Sequence, residues 1–423
     1  MIATTRDAPF YGWRVVGAAF VLAVFGWGMG FFGPPVFLSV VRETRGWPLP
    51  LISTAVTVHF LVGAVAGAKL PTLYRRFGAP AVTKAGALSM AAGVFGWATA
   101  NEPWQLFVAS LLTGLGWSVM SAAAINALVS PWFVRARPAA LAMAYNGGSI
   151  GGVVFSPLWV AAIGALGFPV AALAVGLVMA LTLWVLAECV FSRTPEGMRQ
   201  LPDGDAAGAP TTPSVTAPAA KPLPGSLLWR DARFLTLAAG MALGLFAQIG
   251  LVAHLFSLLV PALGAQRAGF AMGLVTALAI VGRTLLGWLM PLGADRRLLA
   301  GAGYALQLAG SIAFIAAAGT SVPLLLLGVV LFGAGFGNAT SLPPLIAQVE
   351  FVKGDVVRVV SLIVGIAQGG YAFAPAMFGL IREFAPHAGT AAGAAPGLFA
   401  AAALVQGLAI GAFLLGRRRS CVP

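Results

Sequence analysis

Arg283 stands inside an apolar run, Ala277-Leu278-Ala279-Ile280-Val281-Gly282-Arg283-Thr284-Leu285-Leu286-Gly287. A charge at the centre of a membrane helix costs about 2.5–3.5 kcal/mol on insertion scales, so such a residue needs a reason. A guanidinium stays protonated and presents a planar fork of donors matched to a carboxylate. No Asp or Glu lies centrally in any apolar run of the chain, which leaves the fixed counter-charge missing. An anionic ligand is therefore the expected partner of Arg283. His254, in Leu251-Val252-Ala253-His254-Leu255-Phe256-Ser257, is equally isolated. An ordinary imidazole titrates near pH 6.5, so His254 is a candidate ligand and the candidate proton-coupling group. His59, in Thr57-Val58-His59-Phe60, offers the same chemistry with no motif around it. Lys69 and Glu188 sit near the ends of apolar runs, where long side chains snorkel.

Uncharged polar side chains complete the candidate set: Ser121, Asn126, Asn146, Asn338, Gln368 and Tyr371. Each is equally suited to bridging helices, at about 0.6 kcal/mol per contact. Phe31, with Met29 and Phe32, supplies an apolar wall for a short carbon chain. There is no phosphate-binding glycine loop, nucleophile elbow or metal-spaced His/Cys cluster. The two cysteines, Cys189 and Cys421, make no metal spacing. No catalytic residues, cofactor or metal are expected, and the chain does not read as an enzyme.

These residues need elements that can hold them in an apolar medium. Of 423 residues, 59% are hydrophobic and 9% charged, against about 25% charged in an ordinary soluble domain. That excludes a soluble enzyme and a disordered chain, and the unbroken apolar runs exclude an outer-membrane barrel with its alternating strands. The net charge of +13 lies in short loops between apolar runs, so no nucleic-acid partner is expected. A membrane helix needs about 20 apolar residues. Six spans precede a polar segment: Trp13–Val41, Leu51–Leu73, Ala81–Ala100, Gln105–Val129, Ala139–Gly164 and Pro169–Phe191. Six follow it: Phe234–Leu263, Gly269–Met290, Leu298–Ala318, Val322–Ala347, Val356–Ile381 and Pro396–Leu415. The expected organisation is an N-terminal half, residues 1–191, a linker, 192–233, and a C-terminal half, 234–423. The middle of the linker, Pro202–Pro224, is rich in Pro, Ala, Gly and Thr and predicts a flexible connector without a packed face. An even span count puts both termini on one side. Nineteen Lys and Arg residues fall on that side and four (Arg42, Arg45, Arg267, Arg382) on the other. The bias predicts cytoplasmic termini in a multi-pass protein of the cell inner membrane.

The halves repeat each other. Gly151-Gly152-Val153-Val154-Phe155-Ser156-Pro157 in the fifth span and Gly369-Gly370-Tyr371-Ala372-Phe373-Ala374-Pro375 in the eleventh both read G-G-x-x-F-x-P, 218 positions apart. Gly114-Leu115-Gly116 and Gly333-Ala334-Gly335 match in the fourth and tenth. Two six-helix halves in one orientation resemble the major facilitator superfamily. The fold expected is an all-α polytopic membrane protein with twelve transmembrane helices in two parallel repeats.

The run from Trp132-Phe133-Val134-Arg135-Ala136-Arg137-Pro138 through Ser149-Ile150-Gly151-Gly152 is similar to the fifth-helix signature of monocarboxylate transporters. Phe10-Tyr11-Gly12-Trp13-Arg14 resembles the first-helix entry of bacterial relatives, including the oxalate/formate antiporter branch. The resemblance implies proton-coupled symport of small monocarboxylates such as lactate or pyruvate, by alternating access of a monomeric carrier. It implies a substrate-binding Arg in the eighth helix, at Arg283, and a cavity lined by the tenth and eleventh helices, which favours Asn338 and Tyr371. The expected partners are a small organic acid anion, a proton and the lipid bilayer.

Three positions depart from the family pattern. The loop after the second span, Pro71-Thr72-Leu73-Tyr74-Arg75-Arg76-Phe77-Gly78, has Arg75 at the motif's aspartate, whereas Asp295-Arg296-Arg297 keeps the acid in the second half. Animal members carry a first-helix Lys and an Asp one turn before the eighth-helix Arg; here the first span has no Lys and that position is Ala279. The alternative reading, an exchanger of oxalate or another dicarboxylate, uses an eleventh-helix Lys in its branch, where this chain offers Gln368. A dianion would then face a single fixed charge, poorly compensated for its desolvation.

Overall fold

The computed structural model describes residues 10–204, 225–290, 294–384 and 393–417. Among them, twelve helical spans and no strand are present. The first six are Gly12–Gly30 continued by Gly33–Arg45, Leu49–Phe77, Ala79–Thr99, Pro103–Met120 continued by Ala122–Val129, Arg137–Leu166, and Phe168–Leu186. The second six are Ala232–Leu263, Ala265–Leu289, Arg296–Ala317, Val322–Phe336 continued by Asn338–Glu350, Lys353–Tyr371 continued by Ala374–Phe384, and Pro396–Leu415. Eleven spans are long and apolar enough to cross a membrane. The remaining one, Ala79–Thr99, carries Lys84 and packs against Pro103–Met120 and Phe168–Leu186.

Four spans break, and the first does so for a plain reason. Pro34 and Pro35 have no N–H, so the carbonyls of Gly30 and Phe31 lose their helical donors. The fourth and tenth spans break at Ser121 and Gly337, close to repeat-related positions. The eleventh breaks just before Pro375.

Glycine pairs show that the repeat is structural. A Cβ at Gly114 would meet the His59 carbonyl of the second span at 2.6 Å, and one at Gly116 would meet Met90 of the third. In the other half, Gly333 abuts Val275 of the eighth span, and Gly335 abuts the Gly303 carbonyl of the ninth. The same two helix pairs are drawn together in each half by the same two residues.

The halves meet chiefly at the end away from the termini. There Gly33–Arg45 packs on Ala232–Leu263, Ala374–Phe384 on Leu49–Phe77, and the fifth span on the eighth. A single buried apolar cluster crosses this seam, from Leu38 and Ile52 to Leu255, Phe378 and Leu398. At the terminal end the second half has a separate core of its own, around Phe234, Tyr304, Leu342 and Phe413. The seam is therefore sealed at one end and parted at the other. An ion pair spans the sealed end, Arg42–Glu383 at 3.8 Å, with side chains 40% and 35% exposed. Such a pair contributes at most about 1 kcal/mol, so apolar packing holds this end shut.

The linker is only partly what its composition predicts. Asp203 accepts from the backbone N–H groups of Val134, Arg135 and Ala136 at 3.1, 2.8 and 3.1 Å, just before the fifth span begins. Phe10 packs edge-on against Phe133 in the same corner, and Tyr11 N–H donates to Gln200. Residues 205–224 lie outside the described residues. Burial alone would raise the Asp203 pKa; the three amide donors and the Arg135 charge outweigh it and hold the carboxyl below the usual range. A depressed carboxylate stabilises the fold above its unfolded pKa, and this is lost as pH falls through the folded value. Asp203→Asn should thus lower the melting temperature at pH 7, with the gap to wild type narrowing once the pH falls below the ordinary carboxylate value of about 3.9 in a thermal-shift series.

Candidate functional site

Arg283 lies on the side of the eighth span that faces the other half. Gly269 and Gly273 of that span sit against Pro157 and Val153 of the fifth, and Thr276 sits against Gly152. Continuing this antiparallel register by about two turns brings Arg283 opposite residues 143–145, beyond the sealed part of the seam. Its Nε donates to the Gly337 carbonyl at 3.1 Å, which also accepts from Ser341 Oγ at 3.4 Å. The two terminal nitrogens make no hydrogen bond, and no carboxylate lies within salt-bridge distance, among the described residues. Arg283 is anchored by its stem while the carboxylate-matching end of its fork stays free.

The anchor is part of a larger arrangement. The break in the tenth span presents three successive carbonyls, each taken by a donor from a different helix. Gln307 Nε2 of the ninth reaches Gly335 at 3.1 Å, Gln248 Nε2 of the seventh reaches Phe336 at 3.5 Å, and Arg283 reaches Gly337. Gly282 and Gly337 bring the eighth and tenth backbones together, since a Cβ on either would strike a carbonyl at 2.3 or 2.1 Å. The guanidinium is thereby positioned by close packing and not by an ion pair.

The other candidates divide into groups. Phe31, at the break of the first span, meets Phe32, Phe60 and Trp117 with ring centroids 4.9, 6.2 and 6.5 Å away. Phe60 meets Tyr371 of the other half edge-on at 6.0 Å, and Gln368 lies beside the Tyr371 hydroxyl. Phe31, Tyr371 and Gln368 thus belong to one aromatic floor between the sealed end and the parted cleft. Asn126 pairs with the Tyr145 hydroxyl across the fourth and fifth spans. Asn338 is buried against Gly303 of the ninth span, and its Oδ1 has no partner. Ser121 spends its hydroxyl on the Ser118 carbonyl at 3.0 Å.

His254 is fully buried and stands apart from Arg283. Its Nε2 donates to the Pro375 carbonyl at 3.0 Å. It lies about 14 Å along its helix from the sealed end, while Arg283 lies about 27 Å along its own, at 1.5 Å per residue. A small carboxylate held by Arg283 does not also reach His254 in this arrangement. Two residues passed over in the sequence belong to the seam. Tyr145 stands opposite Arg283 by register, and Thr57 Oγ1 accepts from the Ala376 N–H of the other half at 3.2 Å. Thr57 had a signal: an N–H on a broken helix beside Pro375 needs an outside acceptor.

Comparison with known proteins agrees with this architecture. The sequence profile of the Major Facilitator Superfamily matches residues 18–375. No curated protein matches the chain. The structure is similar to that of a point mutant of the nucleoside transporter NupG, with a TM-score of 0.72 and 13% identity, covering 96% of this chain and 100% of that one. It is also similar to a bacterial homolog of the human lysosomal transporter Spinster, captured inward-facing and occupied, with a TM-score of 0.67 and 15% identity over 97% of each chain.

Proposed function

The chain belongs to the Major Facilitator Superfamily, and from that premise we propose that it is a proton-coupled symporter of small monocarboxylates of the lactate and pyruvate type. The observation that carries this reading is the free end of Arg283, a fixed cation facing the seam with no acidic partner among the described residues. A monocarboxylate fills that vacancy with one charge; a dicarboxylate leaves a second charge uncompensated. The aromatic floor of Phe31, Phe60 and Tyr371 suits a short carbon chain, and Tyr145 with Asn126 offers a polar contact across the cleft. The carrier works as a monomer in the inner membrane with cytoplasmic termini, so the sealed end faces outward. His254 holds the seventh span to the eleventh there.

Uptake of labelled acids into proteoliposomes tests the reading. Lactate or pyruvate should accumulate when the outside is acidic and should not when the pH gradient is collapsed. Accumulation of uridine in place of the acids would move the protein to nucleosides, the substrate class named for one structural neighbour. Oxalate uptake that needs internal oxalate would make it an exchanger.

A further inference from the structure

The second and eleventh spans meet across the halves at three levels. Nearest the cleft, the Phe60 ring meets Tyr371 edge-on at 6.0 Å. Next, Thr57 Oγ1 accepts from the Ala376 N–H at 3.2 Å. Outermost, a Cβ added to Gly379 would meet Ser53 Oγ at 2.5 Å and Ser53 Cβ at 2.7 Å. Ser53, Thr57 and Phe60 follow each other at helical spacing on one face of the second span, and all three are buried. The first and third levels are packing contacts. The middle one is a hydrogen bond to a donor that the chain itself has freed.

The eleventh span stops at Tyr371 and resumes at Ala374. In a continuous helix the Ala376 N–H would donate to the Ala372 carbonyl. Among the described residues it makes no backbone hydrogen bond, and the acceptor it finds is the Thr57 oxygen. The neighbouring Pro375 carbonyl is taken from the other side by His254 Nε2 at 3.0 Å. A backbone N–H only donates and a carbonyl only accepts, so the direction of both bonds is fixed. The break is gripped by its own half through His254 and by the opposite half through Thr57. Only the second grip has to be given up when the halves part.

The repeat-related seam lacks this bond. Thr276 stands 219 positions after Thr57, the offset that separates Gly114 from Gly333, and it faces the fifth span at Gly152. The fifth span runs unbroken through Pro157, and Thr276 Oγ1 donates to the Met272 carbonyl of its own helix at 3.3 Å. The hydrogen bond across the halves is therefore a property of the broken span and not of the repeat. We propose that Thr57 is the latch of the sealed end: its hydroxyl oxygen holds the N–H freed by the break in the eleventh span, and releasing it is a step in parting the halves. This rests on the carrier reading only in that the halves rock; it does not need Arg283 to bind an acid.

Spin labels on Thr44→Cys and Gln266→Cys, with Cys189 and Cys421 replaced by Ser, report the separation at the sealed end in nanodiscs without substrate. Thr57→Val keeps the shape of the side chain and removes the acceptor. It should lower the sealed-to-open ratio about three- to tenfold, the effect of one buried neutral hydrogen bond. Thr57→Ser keeps the oxygen and drops the methyl, and should hold the wild-type ratio. A packing role predicts the reverse, a shift in Thr57→Ser and none in Thr57→Val. Amide hydrogen exchange at Ala376 reads the same equilibrium when the open population is small. It should run about three- to tenfold faster in Thr57→Val than in wild type or Thr57→Ser. Because no acid is present, the result is independent of the anion site, which Arg283→Gln tests by itself. An unchanged ratio and exchange rate in Thr57→Val, or equal opening in both variants, would overturn the latch.

Discussion

Arg283→Gln is expected to lower the affinity for a short monocarboxylate at least about a hundredfold. A bidentate, charge-assisted pair contributes about 3 kcal/mol when partly shielded from water, which is that factor. The variant should insert at least as well as wild type, because it removes an intramembrane charge and orphans no acid. Arg283→Lys should bind partially at best: the ammonium keeps the charge but cannot both hold the Gly337 carbonyl and fork onto a carboxylate. Ligand-induced thermal stabilisation of the purified variants separates binding from transport. Should Arg283→Gln bind lactate or pyruvate as tightly as wild type, the anion site is elsewhere and the organic-acid reading goes with it.

Arg283 was legible in the sequence because a buried permanent charge in an apolar run stands out whatever the fold. How it is held was not. Its anchor, Gly337, lies 54 residues away, and only the packing of Gly282 and Gly337 shows why that carbonyl is free and near. His254 reads as equally exceptional, yet its partner is the Pro375 carbonyl at another depth of the bundle. Residue type tells that a group is polar and buried; depth depends on where each helix starts and how it tilts.

The repeated glycine motif was read correctly as an architectural repeat, and its two copies have different surroundings. Gly151 and Gly152 are pressed against Val24, Phe32 and Thr276, whereas Gly369 and Gly370 have nothing within 4 Å of an added Cβ. One copy lies in the sealed seam and the other in the parted one. A sequence repeat records a symmetry that the carrier expresses over its whole cycle. A single arrangement must break it, since sealing one end of the seam opens the other.

Gly152→Leu should therefore hold the sealed end apart. An added Cβ meets the Phe32 ring at 2.5 Å and Thr276 Cγ2 at 2.7 Å, one from each half, and both residues are buried. Neither can turn away into open space. Nearby, an added Cβ at Gly273 would meet the Val153 carbonyl at 3.1 Å, so the same seam is closely packed one turn along. Overpacking of this kind costs about 1–3 kcal/mol in the sealed arrangement and nothing once the halves part. That shifts the sealed-to-open ratio about five- to 150-fold. The expected result is a longer distance between labels on Thr44→Cys and Gln266→Cys, uptake reduced by a similar factor, and ligand-induced stabilisation retained, since Arg283 lies about two turns away. Gly164→Leu, in the same span with no atom within 4 Å of its added Cβ, serves as the control for a bulky residue on this helix. If Gly152→Leu transported and sealed like the control, the fifth–eighth seam would not be the surface on which the halves rock, and the alternation would have to pivot on the second and eleventh spans instead.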